Sequence, residues 1–255
     1  MSRFEDDPAD ILQKARFGHS LSVADLAKQS GVPAATLARL ESGQLAFDRS
    51  HRAVAERLGL DAEALAMLAN DEGPDVLLPP EVAAVRSPWG SWTYVWFGPE
   101  GAVVVDPAVP YRALERHLGG EPLLALFVTH SHQDHLATFE MVAAHAQASY
   151  AHPDLAASLG ATPFAPGQSQ AGLTAMAAPG HAPDGLVLVG PGLAFTGDAL
   201  FARSAGRART GADHLDVVES VRRILALPAA TLLLPGHGPP TTVALERRLN
   251  PFYPH

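Results

Sequence analysis

The 255-residue sequence contains no cysteine. Without cysteine there is no disulfide, no thiolate nucleophile and no sulfur ligand, so a metal ion would have to be bound by His, Asp or Glu. The chain is also poor in charge, with 18% charged against 47% hydrophobic residues, and this balance excludes an intrinsically disordered protein. The sequence therefore predicts a globular protein in which the 12 histidines are the side chains most informative about function.

The sequence has no apolar run that approaches the roughly 18 residues needed to cross a membrane. It starts with MSRFEDDPAD, which is acidic and polar, whereas a secretory signal peptide has a basic stretch followed by an apolar one. We therefore expect a cytoplasmic protein without membrane contact. The net charge of -9 argues against a polyanion-binding surface over the whole chain, although a local basic face can exist within an acidic total.

The hydrophobic pattern divides the chain into two parts. In residues 10–70 the apolar residues recur at helical spacing, and turn residues such as Gly31 separate the segments. From residue 81 onward, strand-like runs such as SWTYVWF, GAVVVD and LLALFV alternate with helical stretches. The linker between the parts is polar and bounded by prolines, which predicts that the two parts can be separated. We predict a small all-α domain at 1–72, a linker at 73–81 and, at 82–255, a domain in which strands and helices form an α/β layer structure.

Four potential metal ligands lie within six residues shortly after the apolar strand LLALFV. Strand ends are where α/β folds place their functional sites. Histidines two positions apart on an extended chain point the same way, so His130 and His132 can share one ion. Asp134 and His135, on the turn into the next helix, can face a second ion. An isolated HxH pattern also occurs by coincidence on protein surfaces, so this motif alone does not establish a metal site.

Three further potential ligands follow, each where an apolar strand gives way to a Gly or Pro turn: His181 in APGHAPD, Asp198 in FTGD and His237 in LLLPGHGPP. Taken one by one, they could be a solvated loop histidine, a helix cap and a turn residue. Their joint occurrence at successive strand ends indicates instead that they belong to one metal centre.

The order of an HxHxDH motif, then His, Asp and His, resembles the metallo-β-lactamase fold superfamily. The segments GDALFARSAGR, ESVRRILALP and PGHGPPTTVALERRLNPF are similar to the short, glyoxalase II-like hydrolases of that superfamily. The resemblance covers roughly residues 82–255. It implies an α+β fold, an αββα sandwich with the metals at one edge of the two sheets.

The resemblance also implies the ligands of two metal ions: His130, His132 and His181 for one, Asp134, His135 and His237 for the other, and Asp198 as the bridge. Imidazoles and carboxylates without sulfur suit Zn first, with Fe or Mn as alternatives. Asp134 and Asp198 would then be catalytic as well as metal-binding. A hydroxide that bridges two divalent ions about 3.5–4 Å apart would be the nucleophile, so that no serine or cysteine is required.

Three other residues are candidates through the same resemblance. Asp106, at the end of the strand VVVD, matches the family's first acidic position and would orient a ligand histidine, with a turn-capping aspartate as the alternative. Arg207 and Arg209 lie on a loop that is near the substrate in relatives, so they are candidate substrate-binding residues, with two solvated surface arginines as the alternative. The family usually reads GRTD where this chain reads GRAR, which puts the usual substrate in doubt.

The segment LSVADLAKQSGVPAATLARLESGQ resembles the lambda-repressor-like (Xre-type) helix-turn-helix. The resemblance makes Lys28, Thr36 and Arg39 candidate DNA contacts. The recognition helix, however, begins PAAT and offers few polar side chains to base edges. We therefore expect weak DNA binding that depends little on base sequence, against an alternative in which the module mediates dimerisation or docks a partner. A homodimer is expected in either case.

Three functions fit these features. The leading one is a dinuclear metal-dependent hydrolase, glyoxalase II-like, that cleaves a small-molecule acyl thioester or a related acyl compound. The second is a mononuclear iron persulfide dioxygenase-like enzyme, whose relatives tend to carry an AHDY motif where this chain reads PGHG. The third is a DNA-binding regulator with a metallo-β-lactamase sensor domain.

Overall fold

The computed structural model describes residues 4–254, in which two six-stranded sheets are the central feature. The first sheet contains, in spatial order, β1 (Val82–Arg86), β2 (Trp92–Gly98), β3 (Gly101–Val105), β4 (Leu123–Phe127), β5 (Ala146–Ala151) and β6 (Thr162–Pro163). The later strands are β7 (Ser169–Gln170), β8 (Leu173–Ala177), β9 (Leu186–Gly190), β10 (Leu193–Gly197), β11 (Leu200–Phe201), β12 (Ser204–Ala205), β13 (Leu232–Pro235) and β14 (Thr241–Thr242). Six of these form the second sheet in the order β14-β13-β10-β9-β8-β7, whereas β11 and β12 form a separate hairpin.

Helices precede the first sheet and then alternate with the strands. The N-terminal helices are α1 (Pro8–Gly18), α2 (Val23–Ser30), α3 (Ala34–Glu41), α4 (Arg52–Arg57) and α5 (Ala62–Leu68). The later helices are α6 (Tyr111–Leu118), α7 (Gln133–Leu136), α8 (Phe139–Ala143), α9 (Pro153–Leu159), α10 (His214–Leu225) and α11 (Val243–Leu249). Within residues 4–254, no helix has the length and apolar character that a membrane crossing requires.

The strands bury both faces, because alternate side chains point into different cores. In β3, Val103 and Val105 lie in the core between the two sheets, whereas Val104 lies in the core shared with α6 and α8. In β10, Phe195 lies between the sheets and Ala194 lies in the core under α10. The layers are therefore helix, sheet, sheet, helix, which agrees with the predicted α+β sandwich.

The N-terminal helices form where the sequence carries capping signals. Asp7 caps α1 and Ser22 caps α2, each in a reciprocal capping box. Helix α2 is followed by its C-terminal cap Gly31, whose φ of 72° lies in the left-handed region that glycine adopts without strain. The all-helical character predicted for this part is confirmed, whereas its identity as a helix-turn-helix stays a prediction.

One hydrophobic core joins the N-terminal helices to the outer face of the second sheet. It runs from Leu12 of α1 and Leu26 of α2 to Val221 and Ile224 of α10, and on to Leu233 of β13. Side chains that share one core leave water together, so the two parts stabilise each other.

Polar contacts join the same two parts. The amide of Asp61 donates to the carbonyl of Pro251 at 2.8 Å. The buried guanidinium of Arg203 donates to Asp71 at 2.7 Å and also pairs with the fully buried Glu246. The expectation that the two parts can be separated is therefore not supported. Linker composition indicates how two parts are connected, but it does not reveal how much surface they bury against each other.

We expect a chain shortened to residues 75–255 to lose its cooperative fold. Removing the N-terminal helices uncovers apolar surface on α10 and the second sheet, at a cost of about 1.5–3 kcal/mol for each large side chain that becomes fully exposed. A few such side chains consume most of the roughly 5–15 kcal/mol that stabilises a domain. Urea denaturation followed by circular dichroism is the measurement. A soluble fragment that unfolds cooperatively at the midpoint of the full chain would contradict this expectation.

Candidate metal centre

The histidine-rich segment begins at the end of β4 and is fixed by Asp106, the residue directly after β3. The amide and the hydroxyl of Thr129 donate to the two carboxylate oxygens of Asp106 at 2.7 and 2.8 Å. Asp106 has a left-handed φ of 55°, which Asp tolerates better than most residues. Because β3 and β4 are parallel neighbours, their ends deliver these residues to one edge of the first sheet.

The first group of potential ligands comprises His130, His132, His181 and Asp198, whose ligand atoms all lie within 4.8 Å of one another. Nε2 of His130 lies 3.1 Å from Nδ1 of His132, and Nε2 of His181 lies 2.9 Å from the same atom. Imidazole nitrogens that converge in this way can bind one cation.

The second group comprises Asp134, His135 and His237, again with ligand atoms within 4.8 Å of one another. Oδ2 of Asp134 lies 3.0 Å from Nε2 of His237 and 3.7 Å from Nε2 of His135. The two groups adjoin each other, so the structure brings all seven residues of the implied ligand set to one place.

Asp198 lies between the two groups. Its Oδ2 is 3.4 Å from Nε2 of His181 in the first group. Its Oδ1 is 3.2 Å from Nε2 of His135, and its Oδ2 is 3.8 Å from Nε2 of His237, both in the second group. This is the position that a bridging carboxylate requires.

The residues present fit metal ions. Nε2 of His135 and Oδ1 of Asp198 are buried and lie 3.2 Å apart without hydrogen-bond geometry, and neither has another hydrogen-bond partner among the described residues. Buried polar atoms are costly without a partner, and a cation would bind both. The chain also leaves little space here, because a Cβ at Gly236 would lie 2.4 Å from Oδ1 of Asp198 and 2.4 Å from Cε1 of His135. Imidazoles and carboxylates without sulfur are a donor set for Zn, Fe or Mn.

The charges at the centre offset one another. Burial lowers the pKa of His130 well below its usual value, and the neighbouring charge of His135 lowers it further. Burial also lowers the pKa of His135, but the hydrogen bond and charge of Asp106, together with Asp198, outweigh burial and raise this pKa well above its usual value. Burial raises the pKa of Asp198, but His135 and the other histidines hold it well below its usual value. A bound cation would therefore replace the proton of His135.

Asp106 contacts His135, one of the candidate ligands. Its Oδ2 lies 3.0 Å from Nδ1 of His135, which leaves Nε2 directed at the centre. The same carboxylate accepts hydrogen bonds from Thr129. Asp106 therefore also stabilises the turn after β3, which was the alternative role considered for it.

The two candidate substrate-binding arginines lie beside the centre but direct their guanidinium groups elsewhere. The carbonyl of Arg207 lies 3.1 Å from Nδ1 of His181, while its guanidinium lies over the ring of Phe17 at 4.6 Å. The guanidinium Nη2 of Arg209 lies 3.3 Å from Oδ1 of Asp213. Contact of either side chain with a substrate stays a prediction.

The candidate DNA contacts lie on the N-terminal helices, outside the metal cluster. Lys28 on α2 and Arg39 on α3 are exposed, and Thr36 is half-buried. Ala34 and Ala35, which begin α3, are exposed and offer only methyl groups.

Sequence reasoning missed two acidic residues beside the cluster. Oε2 of Glu5 lies 3.8 Å from Nδ1 of His237, and the buried Asp184 accepts a hydrogen bond from Ser131 at 3.1 Å. Asp184 lies three residues after His181, and that proximity was a usable signal. Glu5 lies in a polar run before α1, and nothing in its sequence context indicates the site.

We expect Asp106→Asn to lower the affinity for metal about 10- to 100-fold, the usual effect of losing the outer partner of a ligand histidine. Asparagine keeps one oxygen for Thr129 but loses the charge that holds His135. Competition with a chromophoric chelator measures the affinity, and Asp75→Asn on the exposed linker is the matched control. Unchanged affinity in Asp106→Asn would mean that this residue serves the turn alone.

The chain is similar in sequence to several known proteins. A family model described as the metallo-beta-lactamase superfamily matches residues 86–172 and 160–237. A probable metallo-hydrolase of Streptococcus pyogenes is 25% identical over 203 residues, which cover 64% of this chain and 86% of that protein. The hydroxyacylglutathione hydrolase of Tolumonas auensis is 31% identical over 158 residues, which cover 56% of this chain and only 60% of that protein.

Solved structures are similar over about two thirds of the chain. The protein TTHA1623, solved in a di-iron-bound form, is 30% identical, with a TM-score of 0.58 over 69% of this chain and 100% of that one. ETHE1 from Myxococcus xanthus is 27% identical, with a TM-score of 0.57 over 67% of this chain and 83% of that one. Since the family model also matches more than half of the sequence, the chain belongs to the metallo-beta-lactamase superfamily.

Proposed function

We propose that the chain is a dinuclear metal-dependent hydrolase, glyoxalase II-like, that cleaves a thioester or a related acyl compound. The observation that carries the proposal is the pair of adjoining ligand groups with Asp198 between them. Zn is the first choice of metal, with Fe or Mn as alternatives. The di-iron form of TTHA1623 supports a two-metal centre on this fold, although it leaves the metal of this chain open.

Two divalent ions in these groups would polarise an acyl carbonyl and supply a hydroxide nucleophile at neutral pH. The chain's own residues prepare the site for them. Nδ1 of His135 faces Asp106, and Nδ1 of His181 faces the carbonyl of Arg207, so that Nε2 of each ring is free to act as a ligand. Asp198 can contact both ions because its two oxygens reach both groups.

The thioester class follows from the leaving group. A thiol with an ordinary pKa of about 8.5 departs as a thiolate with little need for a proton donor, whereas an amine must be protonated first. The similarity to hydroxyacylglutathione hydrolase supports the same class. The acyl group and the thiol carrier stay open, because the match spans about 60% of that enzyme. Arg207 and Arg209 are the proposed contacts of the substrate.

The alternative is a mononuclear iron persulfide dioxygenase-like enzyme. One observation supports this alternative: the four residues of the first ligand group could hold a single ion by themselves. The second group would then have no function, although Asp134 and His237 are already 3.0 Å apart and directed at the same point. The dinuclear proposal uses both groups.

We expect His132→Ala and Asp198→Asn each to reduce kcat/KM for thioester hydrolysis by at least about a hundredfold, because losing a ligand costs more than losing its outer partner. Metal content, measured by elemental analysis, should fall with activity. The ligands lie at the sandwich edge, so circular dichroism should be unchanged. His117→Ala, on α6 and away from the cluster, is the control and should keep both metal and activity.

Near-full turnover by His132→Ala would contradict the dinuclear proposal, because a mononuclear dioxygenase-type site relies on the positions of His130, His181 and Asp198. Elemental analysis of the unaltered protein, purified without added metal, separates the two candidates independently. Two zinc ions per chain support the hydrolase, and one iron per chain supports the dioxygenase-like enzyme.

A second activity, weak DNA binding by the N-terminal helices, is favoured by the exposed Lys28 and Arg39 on α2 and α3. These side chains can meet phosphates, whereas the alanines that begin α3 offer base edges only methyl contacts. A homodimer would be needed to place two such helices on half-sites about one helical turn apart. The regulator hypothesis therefore ranks below the hydrolase.

We expect DNA binding, if measured at low salt, to depend little on base sequence and to weaken about tenfold between 50 and 200 mM salt, as two phosphate contacts would dictate. Titrations of the full chain against the duplex upstream of its own gene and against a scrambled duplex test this. The variant with Lys28→Gln and Arg39→Gln should bind neither. Nanomolar, sequence-selective binding at physiological salt would instead make the regulator the leading function.

A further inference from the structure

The short segment before α1 is anchored next to the metal centre. Oδ2 of the buried Asp6 accepts hydrogen bonds from Nζ of Lys14 at 2.5 Å and from the hydroxyl of Ser204 at 2.6 Å. Nζ of Lys14 also donates to the carbonyl of Ala205 at 3.1 Å. The contacts with Ser204 and Ala205 therefore join the segment to β12, and the ion pair between Asp6 and Lys14 holds the two side chains that make them.

The β11–β12 hairpin that receives this segment also packs on the metal ligands. The ring of Phe201 in β11 meets the ring of His237 edge-on, with centroids 6.0 Å apart. Directly after β12, a Cβ at Gly206 would lie 1.9 Å from the carbonyl oxygen of Asp198 and 2.9 Å from Cβ of His181. The β11–β12 hairpin therefore contacts both the N-terminal segment and the candidate metal ligands.

Glu5 lies between this anchor and the second ligand group. Its Oε2 is 3.8 Å from Nδ1 of His237, whose Nε2 faces Asp134. A Cβ at Gly238, the residue after His237, would lie 3.3 Å from the backbone nitrogen of Glu5, so the two backbones pack closely. A histidine that binds metal through Nε2 carries its hydrogen on Nδ1, and this hydrogen needs an acceptor.

The other candidate ligand histidines that face the centre through Nε2 already have an acceptor for Nδ1 at hydrogen-bond distance. Their Nδ1 atoms lie near an oxygen of the chain: His130 near the hydroxyl of Thr129 at 3.0 Å, His135 near Asp106 at 3.0 Å and His181 near the carbonyl of Arg207 at 3.1 Å. Those oxygens come from the metal-binding part of the chain. For His237, the carboxylate beside Nδ1 comes from the N-terminal segment.

We propose that Glu5 is a positioning residue for His237, so that the N-terminal segment is part of the metal centre. Its carboxylate lies 3.8 Å from Nδ1 of His237, beyond direct hydrogen-bond distance, and a shift of roughly 1 Å would let it accept the Nδ1 hydrogen and keep Nε2 directed at the second group. The inference rests on the proposed function in one respect, that a metal ion occupies the second group. It assigns the N-terminal part of the chain a role that linker composition and helix pattern do not indicate.

The test compares Glu5→Ala and Glu5→Gln with the unaltered full chain. Zn²⁺ is titrated in competition with a chromophoric chelator, which resolves a first and a second ion. Glu5→Ala should weaken binding of the second ion about tenfold, the lower end of the range for outer partners of ligand histidines, and leave the first ion unchanged. Glu5→Gln, which keeps an acceptor oxygen without the charge, should recover part of the loss. Glu121→Gln, an exposed site after α6, is the control.

A steady-state assay provides the second readout. With limiting metal, Glu5→Ala should lose kcat with KM unchanged, and excess Zn²⁺ should restore kcat. Two ions that bind as tightly to Glu5→Ala as to the unaltered chain would overturn the inference and leave the hydrolase intact. Two ions bound without any thioester hydrolysis would overturn the proposed substrate class, while the same titration would still decide the role of Glu5.

Discussion

The buried carboxylate of Asp106 is the constraint on which the metal centre depends. A buried carboxylate is costly unless its oxygens are hydrogen-bonded, and here they bind the backbone and hydroxyl of Thr129 and the imidazole of His135. These contacts tie the end of β3 to the segment after β4 and orient His135 toward Asp198, 3.2 Å away. Asp198 in turn contacts residues of both ligand groups. One chain of carboxylate, imidazole and carboxylate therefore sets the geometry of the whole centre.

The clustering of the seven candidate ligands could be predicted because they follow strand ends that the hydrophobic pattern already marks, and strand ends meet at one edge of the sandwich. The approach of Glu5 to His237 could not be predicted from the sequence. It depends on the hydrogen bond between Asp6 and Ser204, which are 198 positions apart in the sequence. Periodicity predicts which face of a helix is apolar, but it does not predict the surface that this face packs against. The composition of the linker likewise does not predict the core that the N-terminal helices share with α10 and the second sheet.

The packing of helix α1 leaves the N-terminal part with two separate surfaces, one against α10 and one exposed on α3. Its buried face, with Ile11 and Leu12, lies in the core that continues into α10. At its end, a Cβ on Gly18 would lie 2.2 Å from Nδ1 of His214, so α1 and α10 fit closely. The exposed positions of α3, including Arg39, lie on the side away from this contact core. The proposed contact with DNA and the proposed contribution to the metal centre therefore use different surfaces.

The negative charge at the cluster bears on the proposal of two ions. Asp134 and Asp198 are candidate ligand carboxylates, Asp106 contacts the candidate ligand His135, and Glu5 lies beside His237. With the buried Asp184, also beside the cluster, these carboxylates carry more negative charge than one divalent cation can offset. Asp106 and Asp198 are buried, so water screens their charges poorly and an uncompensated charge there would be costly. The proposed second cation would reduce that cost, and it would also offset the carboxylate that the N-terminal segment places beside His237.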